Sequence, residues 1–168
     1  MTNSVTHARL HFEDLKIGTR IDLGAVKLTK PMITAFAREF DPLPFHLDED
    51  AARKSLLGGL AASGWHTAAL SLRLLVDAFL SNIASMGGLG FSNLKWKRPV
   101  LANDTIGGTV IIAGLRRSES HDDWGVILLD FDVRNQRNQP VMSMRLANLV
   151  EVRDAHLRPD QAKPETGS

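Results

Sequence analysis

The sequence predicts an α+β fold in which an antiparallel sheet wraps one long central helix. Three observations predict it. Trp65, Ala69, Leu72, Val76, Phe79 and Ile83 step by four and three alternately, which draws one apolar stripe along a helix. Residues 124–134 and 140–152 alternate in steps of two instead, as half-buried strands do. The stretches 117–123 and 135–139 are short and polar, so neighbouring strands return beside one another as an antiparallel meander.

In chain order, residues 1–9 are polar and are expected to form a flexible tail. Phe12-Glu13-Asp14-Leu15-Lys16-Ile17-Gly18 reads as a turn ending at a glycine, and residues 20–28 as a strand. Thr29 is then a helix N-cap, with Pro31 in the first turn, where its missing N–H leaves no bond unmade. Ile33, Phe36, Ala37 and Phe40 hold helical spacing over 30–40. That helix must stop at Asp41-Pro42-Leu43-Pro44-Phe45-His46. Each proline lacks an amide proton and pushes the residue before it, Asp41 or Leu43, to extended backbone. Residues 48–55 read as a short helix capped by Asp48, with acidic residues in its first turn.

A small-residue loop at 57–64 leads into the long helix, expected over about 65–84. Leu70, Leu75 and Leu80 widen its stripe, and only Ser71, Arg73, Asp77 and Ser81 are polar, so it is expected to be nearly enclosed. Met86-Gly87-Gly88-Leu89-Gly90 reads as its exit. Strands are expected at 91–98, 105–116, 124–134 and 140–152. The last two turn Ile127, Leu129, Phe131 and Val133, and Met142, Met144, Leu146, Val150 and Val152, towards one face. Residues 10–153 thus make one domain, and the polar stretch 154–168 a disordered tail.

Bulk properties narrow the function. A chain of 168 residues suits one domain, and 43% hydrophobic content supplies a core. A net charge of +1 and the lack of a Lys/Arg-rich run argue against nucleic acid as a partner. With no cysteine, disulfides, thiolate nucleophiles and thiolate metal sites are excluded. Residues 1–11 lack the apolar stretch of a secretory signal, and Arg73 and Asp77 interrupt the long helix. A cytoplasmic protein with no membrane span is therefore expected. His7, His11, His121 and His156 are scattered without ligand spacing, and no metal is expected.

Two segments carry chemistry. Asp41 and His46 flank Pro42, Pro44 and Phe45. A carboxylate and an imidazole can divide acid and base duty on one water, and a proline-stiffened loop can turn both into one pocket at little entropic cost. Standing alone, the pair reads more plainly as a turn cap and a surface histidine. The second segment is Ala62-Ser63-Gly64-Trp65 at the mouth of the long helix. The first amides of a helix are unpaired and lie at the positive end of its dipole. Gly64 N–H is thus placed to hold a thioester carbonyl as it gains enolate character. The plainer reading is N-capping by Ser63.

Together these segments resemble the MaoC-like dehydratases, a family that includes the R-specific enoyl-CoA hydratases. The resemblance rests on Phe40-Asp41-Pro42-Leu43-Pro44-Phe45-His46-Leu47-Asp48, Leu57-Gly58-Gly59 and Ala61-Ala62-Ser63-Gly64-Trp65-His66-Thr67. Leu94-Lys95-Trp96-Lys97-Arg98-Pro99-Val100 and Asn103-Asp104-Thr105 extend it, so that it covers residues 10–152. It implies a hot-dog fold, usually dimeric, with the thioester near the dimer interface. It also implies Asp41 and His46 as a hydratase dyad and Gly64 as the donor to the thioester carbonyl. Two positions depart from the family's pattern: Leu43 where its hydratases often carry Asn, and Ser63-Gly64 where His-Gly is common.

The resemblance implies an enzyme that adds water to an acyl-CoA or acyl-carrier-protein thioester or removes it. No cofactor is needed beyond the coenzyme A of the substrate, and a homodimer or higher homo-oligomer is implied. Phe45 and Trp65 are expected to wall the pocket beside Ser63. Lys97 and Arg98, with Lys95, form a basic patch able to meet coenzyme A phosphates, although alternating charges on a strand usually mark a solvated face. His66 is expected to be structural. The competing functions are a hot-dog thioesterase and a non-catalytic acyl-CoA-binding subunit.

Overall fold

The computed structural model describes residues 9–153, so both expected tails lie outside the described residues, apart from Arg9. Strand β1 (Arg20–Lys27) is followed by helix α1 (Lys30–Phe40), whose Thr29 cap accepts the Met32 amide at 3.4 Å. Two short helices come next, α2 (Pro44–Leu47) and α3 (Glu49–Lys54). Asp48 caps the second of these by accepting the Ala51 amide at 2.7 Å. Helix α4 (Gly64–Ala78) then precedes four long strands: β2 (Ser85–Trp96), β3 (Thr105–Arg117), β4 (Trp124–Asn135) and β5 (Pro140–Glu151).

The strands form one antiparallel sheet in the order β1-β3-β4-β5-β2. Strands β3, β4 and β5 are the expected meander. The alternating residues of β4 and β5 face the core as predicted, and Ile127, Leu129, Val133, Met142 and Val150 are fully buried. Leu28, Ile33, Ile106, Val110 and Ile112 join them. Burying a side chain of this kind stabilises the fold by roughly 1.5–3 kcal/mol. No helix among the described residues is long and apolar enough to cross a membrane.

The central helix departs from the sequence reading in two ways. It ends at Ala78, and a single 3₁₀ turn at Leu80–Asn82 carries the chain on. The backbone beyond it pairs elsewhere: Leu10 N–H donates to Asn82 O at 3.0 Å, and Ala84 N–H to Leu10 O at 2.8 Å. Gly87, Gly88 and Gly90 are therefore not a helix exit but part of strand β2. Register shifts against β5 fall at Ser85/Gly87 and Gly88/Gly90, where Gly87 (φ 126°) and Gly90 (φ 146°) take backbone angles that a side chain would oppose.

The second departure concerns enclosure. Helix α4 lies chiefly against β1 and more lightly against β3. Its inward face is His66, Thr67, Ser71 and Leu75. The hydroxyls there are satisfied within the helix, Thr67 Oγ1 donating to Ser63 O and Ser71 Oγ to Thr67 O. The bulky stripe that predicted the helix points largely the other way: Trp65, Leu72 and Val76 are exposed, and only Phe79 and Ile83 at its far end are buried.

Candidate active site

Asp41 closes α1. Its amide donates to Ala37 O at 2.9 Å, and its own backbone leaves the helix at φ −153°. Leu43 is extended, as its place before Pro44 requires. The stretch after it is not the open loop that the two prolines suggested. Pro44 starts the single turn α2, a position where a missing N–H is harmless, and this turn carries His46 inward.

His46 is 6% exposed, so it is a core side chain rather than a surface one. Its Nδ1 lies 2.7 Å from Ala61 O. A carbonyl only accepts, so Nδ1 holds the hydrogen, and Nε2 is the nitrogen left on the other side of the ring. That Nε2 stands 3.5 Å from Asp41 Oδ2. Phe45 meets the imidazole edge-on, with ring centroids 4.6 Å apart. The Ala61 carbonyl is itself fixed: Ala61 bridges to Leu101, Ala62 N–H donates to Val100 O, and Ala102 N–H donates to Leu60 O, both at 2.8 Å.

The same segment runs into α4. Ser63 is the N-cap, but its Oγ accepts from Trp65 N–H at 3.2 Å, so it does not occupy Gly64 N–H. As the first helical residue, Gly64 has no carbonyl one turn behind it. Trp96, at the end of β2, lies flat on Gly64 and donates its indole N–H to Gly64 O at 2.9 Å. A methyl group on Gly64 would stand 2.5 Å from Trp96 Cε2, so no other residue fits beneath this ring.

These groups surround one cavity of about 410 Å³. Asp41, His46 and Gly64 line it, with Phe45, Ser63 and Trp65. Lys97 and Arg98 are exposed on its rim, while Lys95 is not among its lining residues. Every predicted site residue is thus brought to one place. Sequence reasoning missed the roles of Trp96 and Thr67 as lining residues and of the Ala61 carbonyl as the partner of His46. Trp96 left a trace, an aromatic residue on an alternating strand, but nothing local pointed to Gly64, 32 positions away. His66 is not among the lining residues: it is buried, stacked on Phe36 with centroids 4.6 Å apart, and burial lowers its pKa from the ordinary value.

Sheet, helix and cavity define the class: a hot-dog domain with a carboxylate–imidazole pair at the mouth of its central helix. Residues 13–124 match the family model described as MaoC like domain. The chain is 40% identical to the crystal structure of a MaoC-like dehydratase from Rhodospirillum rubrum, with a TM-score of 0.78, covering 86% of this chain and 98% of that one. It is 25% identical over 142 residues to the uncharacterised protein YdeM of Bacillus subtilis (strain 168), covering 84% of this chain and 99% of that protein. The structure of the (R)-hydratase from A. caviae involved in PHA biosynthesis shares the fold at 23% identity, with a TM-score of 0.67, covering 81% of this chain and 97% of that one. This chain belongs to the MaoC-like dehydratase family.

Proposed function

We propose that the protein is an acyl-thioester hydratase or dehydratase of the enoyl-CoA type. One observation carries the reading: His46 Nε2 and Asp41 Oδ2 face each other at 3.5 Å in a cavity that Gly64, the first residue of α4, also lines. Two lone-pair acceptors so placed suit one water that donates to both. His46 Nε2 takes a proton as the water oxygen bonds to C3 of the substrate. The electron pair of the C2–C3 double bond shifts to the thioester oxygen, which Gly64 N–H holds with help from the helix dipole. The imidazolium, steadied by the Asp41 carboxylate, returns the proton to C2 as the carbonyl re-forms. Dehydration runs the same steps backwards. The family's dehydratase name and a fold neighbour named as an (R)-hydratase support this reaction class.

Lys97 and Arg98 at the rim suit the phosphates of coenzyme A, or of the pantetheine arm of a carrier protein. The substrate supplies that group, and no other cofactor enters the scheme. The exposed apolar faces of α4 and β2 suit a homodimer.

The test is hydration of a panel of enoyl-CoA thioesters, read as loss of the conjugated-thioester absorbance. Asp41→Asn and His46→Ala are each expected to lower kcat by about 10²–10⁴-fold. Activity that survives both substitutions overturns the dyad, and release of free thiol without loss of the double bond makes the protein a thioesterase instead.

A further inference from the structure

We propose that Trp96 is a positioning residue, which fixes the first turn of α4 so that the Gly64 amide faces the cavity at a set place relative to Asp41 and His46. This inference rests on the hydratase reading above. A glycine at a helix mouth is the least restrained residue at the least restrained place, since it lacks a Cβ and the first turn lacks half of its hydrogen bonds. An amide that must meet a developing oxyanion needs the opposite: its position has to be settled before the reaction begins.

Three contacts supply that restraint from a single side chain. The indole N–H holds Gly64 O at 2.9 Å. The ring face occupies the space where a side chain on Gly64 would stand, with Cε2, Nε1 and Cδ2 all 2.5–2.8 Å from that position. The Trp65 ring packs nearly perpendicular to it at 5.5 Å, so the next residue of the helix is held as well. The backbone of Trp96 is in turn anchored to the sheet: it pairs with Met142, and Lys97 N–H donates to Val141 O at 2.8 Å. The first turn of α4 is therefore tied to β2, at the edge of the sheet. Glycine and tryptophan explain each other: only a glycine admits the ring, and the ring removes the freedom that glycine brings.

Trp96→Phe keeps most of the ring and loses the N–H, and Trp96→Leu loses both. With a short enoyl-CoA as the probe, Trp96→Phe is expected to lower kcat about tenfold, with KM within about twofold, because the lost restraint matters most when charge develops on the oxygen. Trp96→Leu is expected to lower kcat about a hundredfold. In both, the ¹⁵N order parameter of Gly64 is expected to fall, from about 0.85 towards 0.6 in the leucine variant. An unchanged Gly64 order parameter overturns the clamp. A lowered order parameter with unchanged kcat, or a raised KM with kcat retained, overturns the positioning role. Inactivity of the unsubstituted protein on every enoyl-CoA sinks the hydratase reading instead, and the order parameter still decides the clamp.

Discussion

His46 is oriented by the nitrogen that does not face Asp41. Donation from Nδ1 to Ala61 O fixes the ring, and leaves Nε2 as the nitrogen that meets Asp41. Twenty residues later the same side chain meets a different fate. His66 is also buried, but its Nδ1 finds no hydrogen-bond partner among the described residues, and desolvation lowers its pKa from 6.5. Below pH 6.5 the unfolded chain therefore binds more protons at this residue than the folded one. The stability linked to the neutral ring is complete above 6.5 and is lost as the pH falls from there towards the lower folded value. His66→Phe, which keeps an aromatic ring beside Phe36, is expected to flatten the fall in denaturant midpoint below that pH. An equal slope in both proteins would assign the acid sensitivity to other groups.

At the scale of elements, caps and strands were legible because their signals are local. Thr29, Asp48 and Ser63 each accept the amide that their place before a helix predicts. Asp48 stands outside the cavity lining, so Asp48→Ala separates fold from site. Losing this cap is expected to cost about 1 kcal/mol and to lower the melting temperature by about 2–4 °C, with kcat nearly unchanged. A large fall in kcat would show that α3 helps to hold His46. Three features escaped the sequence for physical reasons. Four residues of α2 are too few to show a period. The glycines of β2 punctuate a strand as readily as they end a helix, because bulges and helix caps both need positive φ. Contacts between distant segments, such as His46 with Ala61 and Gly64 with Trp96, leave no mark in spacing at all. The site was therefore readable as a set of residues, whereas its wiring was not.

The whole molecule leaves its most hydrophobic helical stripe uncovered, and this explains why a sound period led to a wrong burial. Strand β2 is the sheet's outer edge on that side, and its Met86, Leu89, Phe91 and Trp96 are 48–58% exposed. Trp65, Leu72 and Val76 of α4 add to the same exposed apolar surface, and Trp65 packs towards Phe91 at 6.1 Å. A long apolar edge with unpaired backbone groups invites another strand, and proteins that keep one normally cover it. A second copy related by a two-fold axis meets both needs, since β2 can pair antiparallel with itself while the helical stripes cover each other. Trp65 and Trp96 also line the cavity, so this contact would close its outer wall. Light scattering is accordingly expected to give twice the mass of the chain at micromolar concentration. Phe91→Glu would bury a carboxylate at the contact, at a penalty of several kcal/mol, and is expected to give monomers with lowered kcat. Glu is a fair probe because Phe91 is half exposed within one chain, so the folded monomer loses little by the change. A monomeric unsubstituted protein would overturn the dimer, and a Phe91→Glu variant that stays dimeric would place its contact elsewhere.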